Sequence, residues 1–186
     1  NLCKEALINT KAFNCSVVFA NANTGEVLIS AEERGDKESI NIDLISTRAQ
    51  YEPGSSLKIF SIGLALEQGL LDEKTEYYVE DTIELIENSC QKDFKGYKGC
   101  YRDFLKHEPY NLSVKEIIER SSNVGTIIAT KDLRINDLEE FLSKFGFSKR
   151  TGIELSGESR GSFDPNKTCT TCLSSLSIGY SINVTQ

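Results

Sequence analysis

Apolar residues crowd the stretch Leu57–Leu66 (Leu57, Ile59, Phe60, Ile62, Leu64, Ala65, Leu66) so closely that a helix built from it has almost no polar side. A helix apolar all round belongs in a core, between layers. Before it, Pro53 and Gly54 form a turn that cannot continue a preceding helix. After it, Gly69 supplies a left-handed stop. The pattern therefore predicts a buried helix opening at Ser55 and running toward Gln68. Lys58 breaks the apolar run. It follows Ser55 by three positions, so on a helix the two side chains share a face.

Elsewhere the periods are shorter. Cys15–Ala20 and Glu26–Ser30 are β-rich runs separated by the turn residues 21–25, which predicts a hairpin with one edge and one apolar face to cover. Residues 31–50 read as a polar loop, Leu70–Tyr78 leads away from the central helix, and Glu80–Glu87 has partial strand character. Gln91–Gly99, rich in Lys and Gly, reads as an exposed turn between Cys90 and Cys100. Ser113-Val-Lys-Glu116 is a capping box for a helix with Val114, Ile117 and Ile118 on its apolar face. Short polar residues interrupt that helix at 120–125, and it resumes at Ile127. A further helix is expected over Asp137–Phe145, capped by Asn136 or Asp137 and stopped by Gly146. Residues 148–168 read as loop, and Leu173–Val184 as helix or buried turn.

Length and charge narrow the class. The 186 residues suit one domain with a real core, and the net charge of −7 argues against a general nucleic-acid binder. No apolar run approaches the ~20 residues of a membrane span, and no signal-peptide layout opens the chain. Starting without Met and ending in an apolar-rich segment at Gln186, the sequence reads as a piece of something longer. Six cysteines (Cys3, Cys15, Cys90, Cys100, Cys169, Cys172) permit a disulfide framework in an oxidising compartment such as a bacterial periplasm. The rival is a four-thiolate zinc site from Cys90, Cys100, Cys169 and Cys172, but a single CxxC without a second close pair favours cysteines that pair or sit in the core. No cofactor is expected.

A hydroxyl and an amine presented together at the mouth of a buried helix are the parts of a serine nucleophile with a lysine base. The bland alternatives are an N-cap for Ser55 and a snorkelling surface lysine for Lys58. Neither explains a lysine on an otherwise apolar helix. A buried ammonium must be paired or neutralised, and a desolvated lysine is a general base near neutral pH. The spacing alone is weak evidence, because Ser89-Cys-Gln-Lys92 repeats it, and Ser39-Ile-Asn41 and Ser181-Ile-Asn183 repeat the spacing of Ser121-Ser-Asn123.

The context is more specific. Tyr51-Glu-Pro-Gly-Ser-Ser-Leu-Lys58 resembles the first active-site motif of the penicillin-binding proteins, and Glu119-Arg-Ser-Ser-Asn-Val-Gly125 resembles their second, in the family's order. Val17–Leu28 is similar to the hairpin that opens their transpeptidase domain. Phe145-Gly-Phe, Thr151-Gly-Ile-Glu-Leu, Gly157-Glu-Ser-Arg-Gly161 and Ser177-Ile-Gly-Tyr180 resemble later segments of the monofunctional (class B) group. The resemblance implies a mixed α/β (α+β) fold of the β-lactamase/transpeptidase type, incomplete in residues 1–186. In it a helical layer surrounds a buried nucleophile helix packed on an antiparallel sheet.

It also implies roles. Ser55 attacks a D-alanyl-D-alanine stem peptide, Lys58 accepts its proton, Ser121 relays a proton to the leaving amine, and Asn123 holds the substrate amide and positions Lys58. The implied partners are peptidoglycan stem peptides or their lipid-linked precursors, β-lactam antibiotics and other cell-wall synthesis proteins. The implied location is the periplasmic face of a bacterial inner membrane, reached through an anchor outside this chain. Two departures stand out. The third motif, Lys-Thr/Ser-Gly, is absent (Lys149-Arg-Thr-Gly152 lies in a loop and Lys167-Thr-Cys169 lacks the glycine) and is expected beyond Gln186. Ser181 stands where relatives usually carry glycine. The competing readings are a catalytically silent scaffold of this family and a serine β-lactamase or β-lactam sensor.

Overall fold

The computed structural model describes residues 2–35, 45–91, 99–155, 157–163, 169 and 171–186. These divide into two compact units. The first contains α1 (Leu2–Thr10), β1 (Asn14–Ala20), β2 (Val27–Arg34) and α2 (Ile45–Arg48). β1 and β2 form the expected antiparallel hairpin, with Val17 opposite Ala31. Its apolar side chains are open, Phe19 and Ile29 being more than half exposed. α1 was not legible in the sequence, because it is amphipathic only weakly and buries no residue. The Cys3–Cys15 disulfide ties it to β1. The stretch read as a polar loop at 31–50 is partly ordered: β2 runs to Arg34 and α2 opens at Ile45, while 36–44 lie outside the described residues.

The second unit is built around α3 (Lys58–Glu67), entered through a 3₁₀ turn at Gly54–Leu57. Next come β3 (Glu76–Val79), β4 (Thr82–Glu84), β5 (Cys100–Arg102), β6 (Tyr110–Ser113), α4 (Val114–Glu119), α5 (Asn123–Ala129), α6 (Ile135–Lys144), β7 (Ser162–Phe163), α7 (Cys172–Ser177) and β8 (Ile182–Asn183). α3 packs against α4, α5, α6 and α7, and Ile62 and Ala65 are wholly buried there. Ile59 is 57% exposed, so the helix is open along one line rather than apolar-packed all round. Among the described residues the strands form four two-stranded antiparallel ladders, with β3 on β6, β4 on β5 and β7 on β8 in this unit.

Local signals explain most boundaries. Both halves of the Ser113–Glu116 capping box are made, and Gly69 and Gly146 take positive φ where helices stop. α6 starts two residues before the expected Asp137 and has no side-chain cap. Asp137 instead bonds Arg134 at 2.8 Å and Gln68 at 3.1 Å, inside the first turn. β3 and β6 escaped the sequence reading because each is four residues long, too short for an alternation to show. The 148–168 loop contains β7, and 173–184 contains both α7 and β8. Two further disulfides, Cys90–Cys100 and Cys169–Cys172, use the four thiols of the zinc alternative, so no thiolate is left there for a metal.

Candidate active site

Pro53 and Gly54 set the turn that presents Ser55. Gly54 has φ +57, and its N–H donates to the Gly179 carbonyl at 3.0 Å. Ser55 is exposed and caps nothing: the cap position is Pro53, with no side-chain hydrogen bond there. One turn on, Lys58 opens α3 and is 2% exposed, which removes the snorkelling alternative. Its Nζ donates to the Ser121 carbonyl at 2.6 Å and lies 3.2 Å from Ser121 Oγ. Burial lowers the Lys58 amine from 10.5 to about 8, against the pull of the Asp103 carboxylate, which raises it. At neutral pH about a tenth of such amines are free to accept a proton.

The break between α4 and α5 supplies the second side of the site. Ser121 takes φ +53, and Ser122 caps α5 by accepting from the Gly125 N–H at 2.8 Å. Short polar residues make this break, since their side chains offer backbone groups a partner outside the helix. The Asn123 Nδ2 donates to the Arg102 carbonyl at 2.7 Å. Lys58 is therefore held by Ser121, while the amide hydrogens of Asn123 serve another neighbour. Ser55, Ser121 and Asn123 line one cleft of about 630 Å³, together with Arg102, Asp103 and Tyr180. Of the second serine–lysine spacing, Ser89 to Lys92, the lysine lies outside the described residues.

Asp103 was not singled out by the sequence. Its side chain is 7% exposed. One oxygen accepts from the Asn123 N–H at 2.6 Å and the Val124 N–H at 3.0 Å, and the other from Ser122 Oγ at 2.7 Å. His107 Nε2 meets that second oxygen at 3.2 Å, while its Nδ1 faces the Glu108 carbonyl at 3.0 Å. Both ring nitrogens thus face acceptors, which suits the imidazolium. Burial draws His107 down, but the Glu108 carbonyl and the Asp103 and Asp81 carboxylates together hold it above 6.5. Its stabilising effect is accordingly full below pH 6.5 and fades as pH climbs through the raised value. His107 stacks on Tyr110 with centroids 4.2 Å apart, and the Arg120 guanidinium lies 4.9 Å over the same ring. No sequence motif joins Asp103 to this site, because the groups that tie it there, the Ser122 hydroxyl and the Asn123 and Val124 N–H groups, lie about 20 residues away.

Residues 15–186 match the family model of the penicillin binding protein transpeptidase domain. The penicillin-binding protein PbpB of Mycobacterium tuberculosis is 28% identical over 186 residues, covering 94% of this chain and 25% of the relative. The peptidoglycan D,D-transpeptidase FtsI of Escherichia coli K12 is 28% identical over 192 residues, covering 97% and 30%. The chain thus spans about a quarter to a third of the length of these curated relatives. The crystal structure of penicillin binding protein 3 from Mycobacterium tuberculosis superimposes with a TM-score of 0.79 at 26% identity, over 98% of this chain and 41% of that one. A complex of that protein with ampicillin matches equally well. These neighbours bear out the mixed α/β, transpeptidase-like fold expected from the sequence.

Proposed function

The chain belongs to the penicillin-binding-protein transpeptidase family, and on that footing we propose that it is part of a peptidoglycan D,D-transpeptidase working through an acyl-enzyme at Ser55. The observation that carries the reading is the buried Lys58 amine, lowered to about 8 and held on Ser121 one helical turn from an exposed, uncapped serine. Lys58 takes the proton as Ser55 Oγ attacks the carbonyl of a D-alanyl-D-alanine stem peptide. The peptide C–N bond breaks, and Ser121 passes a proton to the leaving amine. An amine of a neighbouring strand then displaces Ser55, giving the cross-link. The Ser55 N–H is one oxyanion donor, a contact worth about 3–4 kcal/mol. Asn123 acts on the substrate amide.

β-Lactams, whose ring imitates the scissile amide, would acylate the same serine. Residues 1–186 are proposed as one partial transpeptidase domain. Its expected place is the extracytoplasmic face of a bacterial inner membrane, alongside other cell-wall synthesis proteins, where three disulfides are compatible with the redox environment. No described helix is long and apolar enough to cross a membrane.

A fluorescent penicillin applied to the full-length protein tests the reading. Ser55→Ala is expected to abolish labelling and Ser89→Ala to leave it at the wild-type level. Unlabelled wild-type protein contradicts acyl transfer, and rapid loss of label points to a lactamase instead.

A further inference from the structure

We infer that Asp103, steadied by His107, is a positioning residue for acylation: it fixes the Ser121–Asn123 turn on which Lys58 is held. The inference rests on the acyl-transfer reading above.

The geometry is that of a hub. Two backbone N–H groups and one hydroxyl from three consecutive residues, Ser122, Asn123 and Val124, converge on one buried carboxylate. The residue just before them is Ser121, whose carbonyl and hydroxyl hold Lys58. Ser121 sits in the left-handed region, a conformation a serine keeps only where its surroundings impose it. Asp103 supplies that constraint by tying down the three residues that follow. The other side of the turn is braced as well, since Arg120 lies over Tyr110 and Tyr110 stacks on His107, which returns to Asp103.

The charge of Asp103 acts on Lys58 too. It raises the Lys58 amine, so it opposes the desolvation that lowers it. Among the described residues, the charged groups around the hub are Asp81 and His107 on one side, Lys58 on the other, Arg102 lining the same cleft, and Arg120 beyond Tyr110. Asp103→Asn keeps the shape and can still accept from both N–H groups, but it loses the charge and turns a donor toward Ser122. A purely structural lesion would slow acylation without moving its pH dependence. Loss of a positioning charge should do both.

The test is the acylation rate of the full-length protein by a fluorescent penicillin between pH 6 and 9.5, with thermal unfolding in parallel. For Asp103→Asn the rising limb, which reports Lys58 losing its proton, is expected to move down by about half a pH unit or more. The plateau should fall about tenfold or more, because misplacing a catalytic group by ~1 Å costs up to ~100-fold. A limb at the wild-type position overturns the inference, whatever the plateau does. If that variant does not fold, the His107 pair decides. His107→Ala is expected to slow acylation about fivefold, the worth of one net hydrogen bond, and His107→Gln to restore most of it. A wild-type rate in His107→Ala overturns the inference. Wild-type protein that takes no label overturns the acyl-transfer reading and this inference with it, whereas labelled wild type with an unmoved limb overturns this inference alone.

Discussion

Lys58→Met is expected to abolish acylation while leaving the fold as stable as before or more so. The base contributes roughly 10²- to 10⁴-fold in enzymes of many kinds, so penicillin labelling should fall by about a thousandfold. Stability should move the other way. Holding Lys58 at about 8 instead of 10.5 corresponds to about 3 kcal/mol spent on keeping an ammonium desolvated at neutral pH. Methionine fills a similar volume without that charge. The Ser121 groups it leaves behind belong to an exposed residue, so water can replace the lost donor. A rise of a few degrees in Tm at pH 7 is the expected result. Because the folded state disfavours the protonated amine, wild-type stability grows as pH rises from about 8 toward 10.5, and the gap to the variant should close over that window. Joint loss of labelling and of several degrees of Tm would mean Lys58 is a structural strut.

Gly179→Ala is expected to be the most damaging small change in the chain. Gly179 has φ +87, and a Cβ there would overlap the Gly54 carbonyl oxygen and Cα. These are backbone atoms that cannot swing away, and they belong to the turn presenting Ser55, to which Gly179 is also hydrogen-bonded. Left-handed strain and the forced displacement together should cost about 3 kcal/mol or more. That lowers Tm by roughly 6–12 °C. A turn pushed aside by ~1 Å should also slow labelling about a hundredfold. Gly63→Ala is the control: it lies inside α3 with nothing within 4 Å of its Cβ position, and alanine there should be neutral or stabilising by up to about 1 kcal/mol. A wild-type Tm in Gly179→Ala would contradict the close approach of the two segments.

What the sequence revealed, it revealed through local chemistry. The Pro53-Gly54 turn, the apolar run after Leu57, the Ser113–Glu116 box and the stop at Gly69 each act within a few residues, so their outcome could be read directly. The same holds for Ser55 and Lys58, one turn apart, and for the polar break at 120–123. Resemblance to a family then joined those two stretches. What escaped depends on partners distant in the chain. β3 and β6 are strands only because each finds the other across more than thirty residues, from Val79 to Tyr110. α6 starts at Ile135 because an arginine and a glutamine hold Asp137, not because a side chain caps it. Asp103 is an ordinary acidic residue in sequence, and only the fold delivers three donors to it. Lys58 is held in the structure by Ser121, whose left-handed backbone no spacing rule announces.

The measurement closest to the heart of this account is a site-resolved titration of Lys58 in the full-length protein. It would follow its side-chain carbon signals by NMR in lysine-labelled protein, with Lys58→Met identifying the resonance. A midpoint near 8 is the result required of a dry amine waiting beside a serine. An ordinary lysine midpoint above 10 would contradict it, for then no base would be ready at the pH at which the protein works.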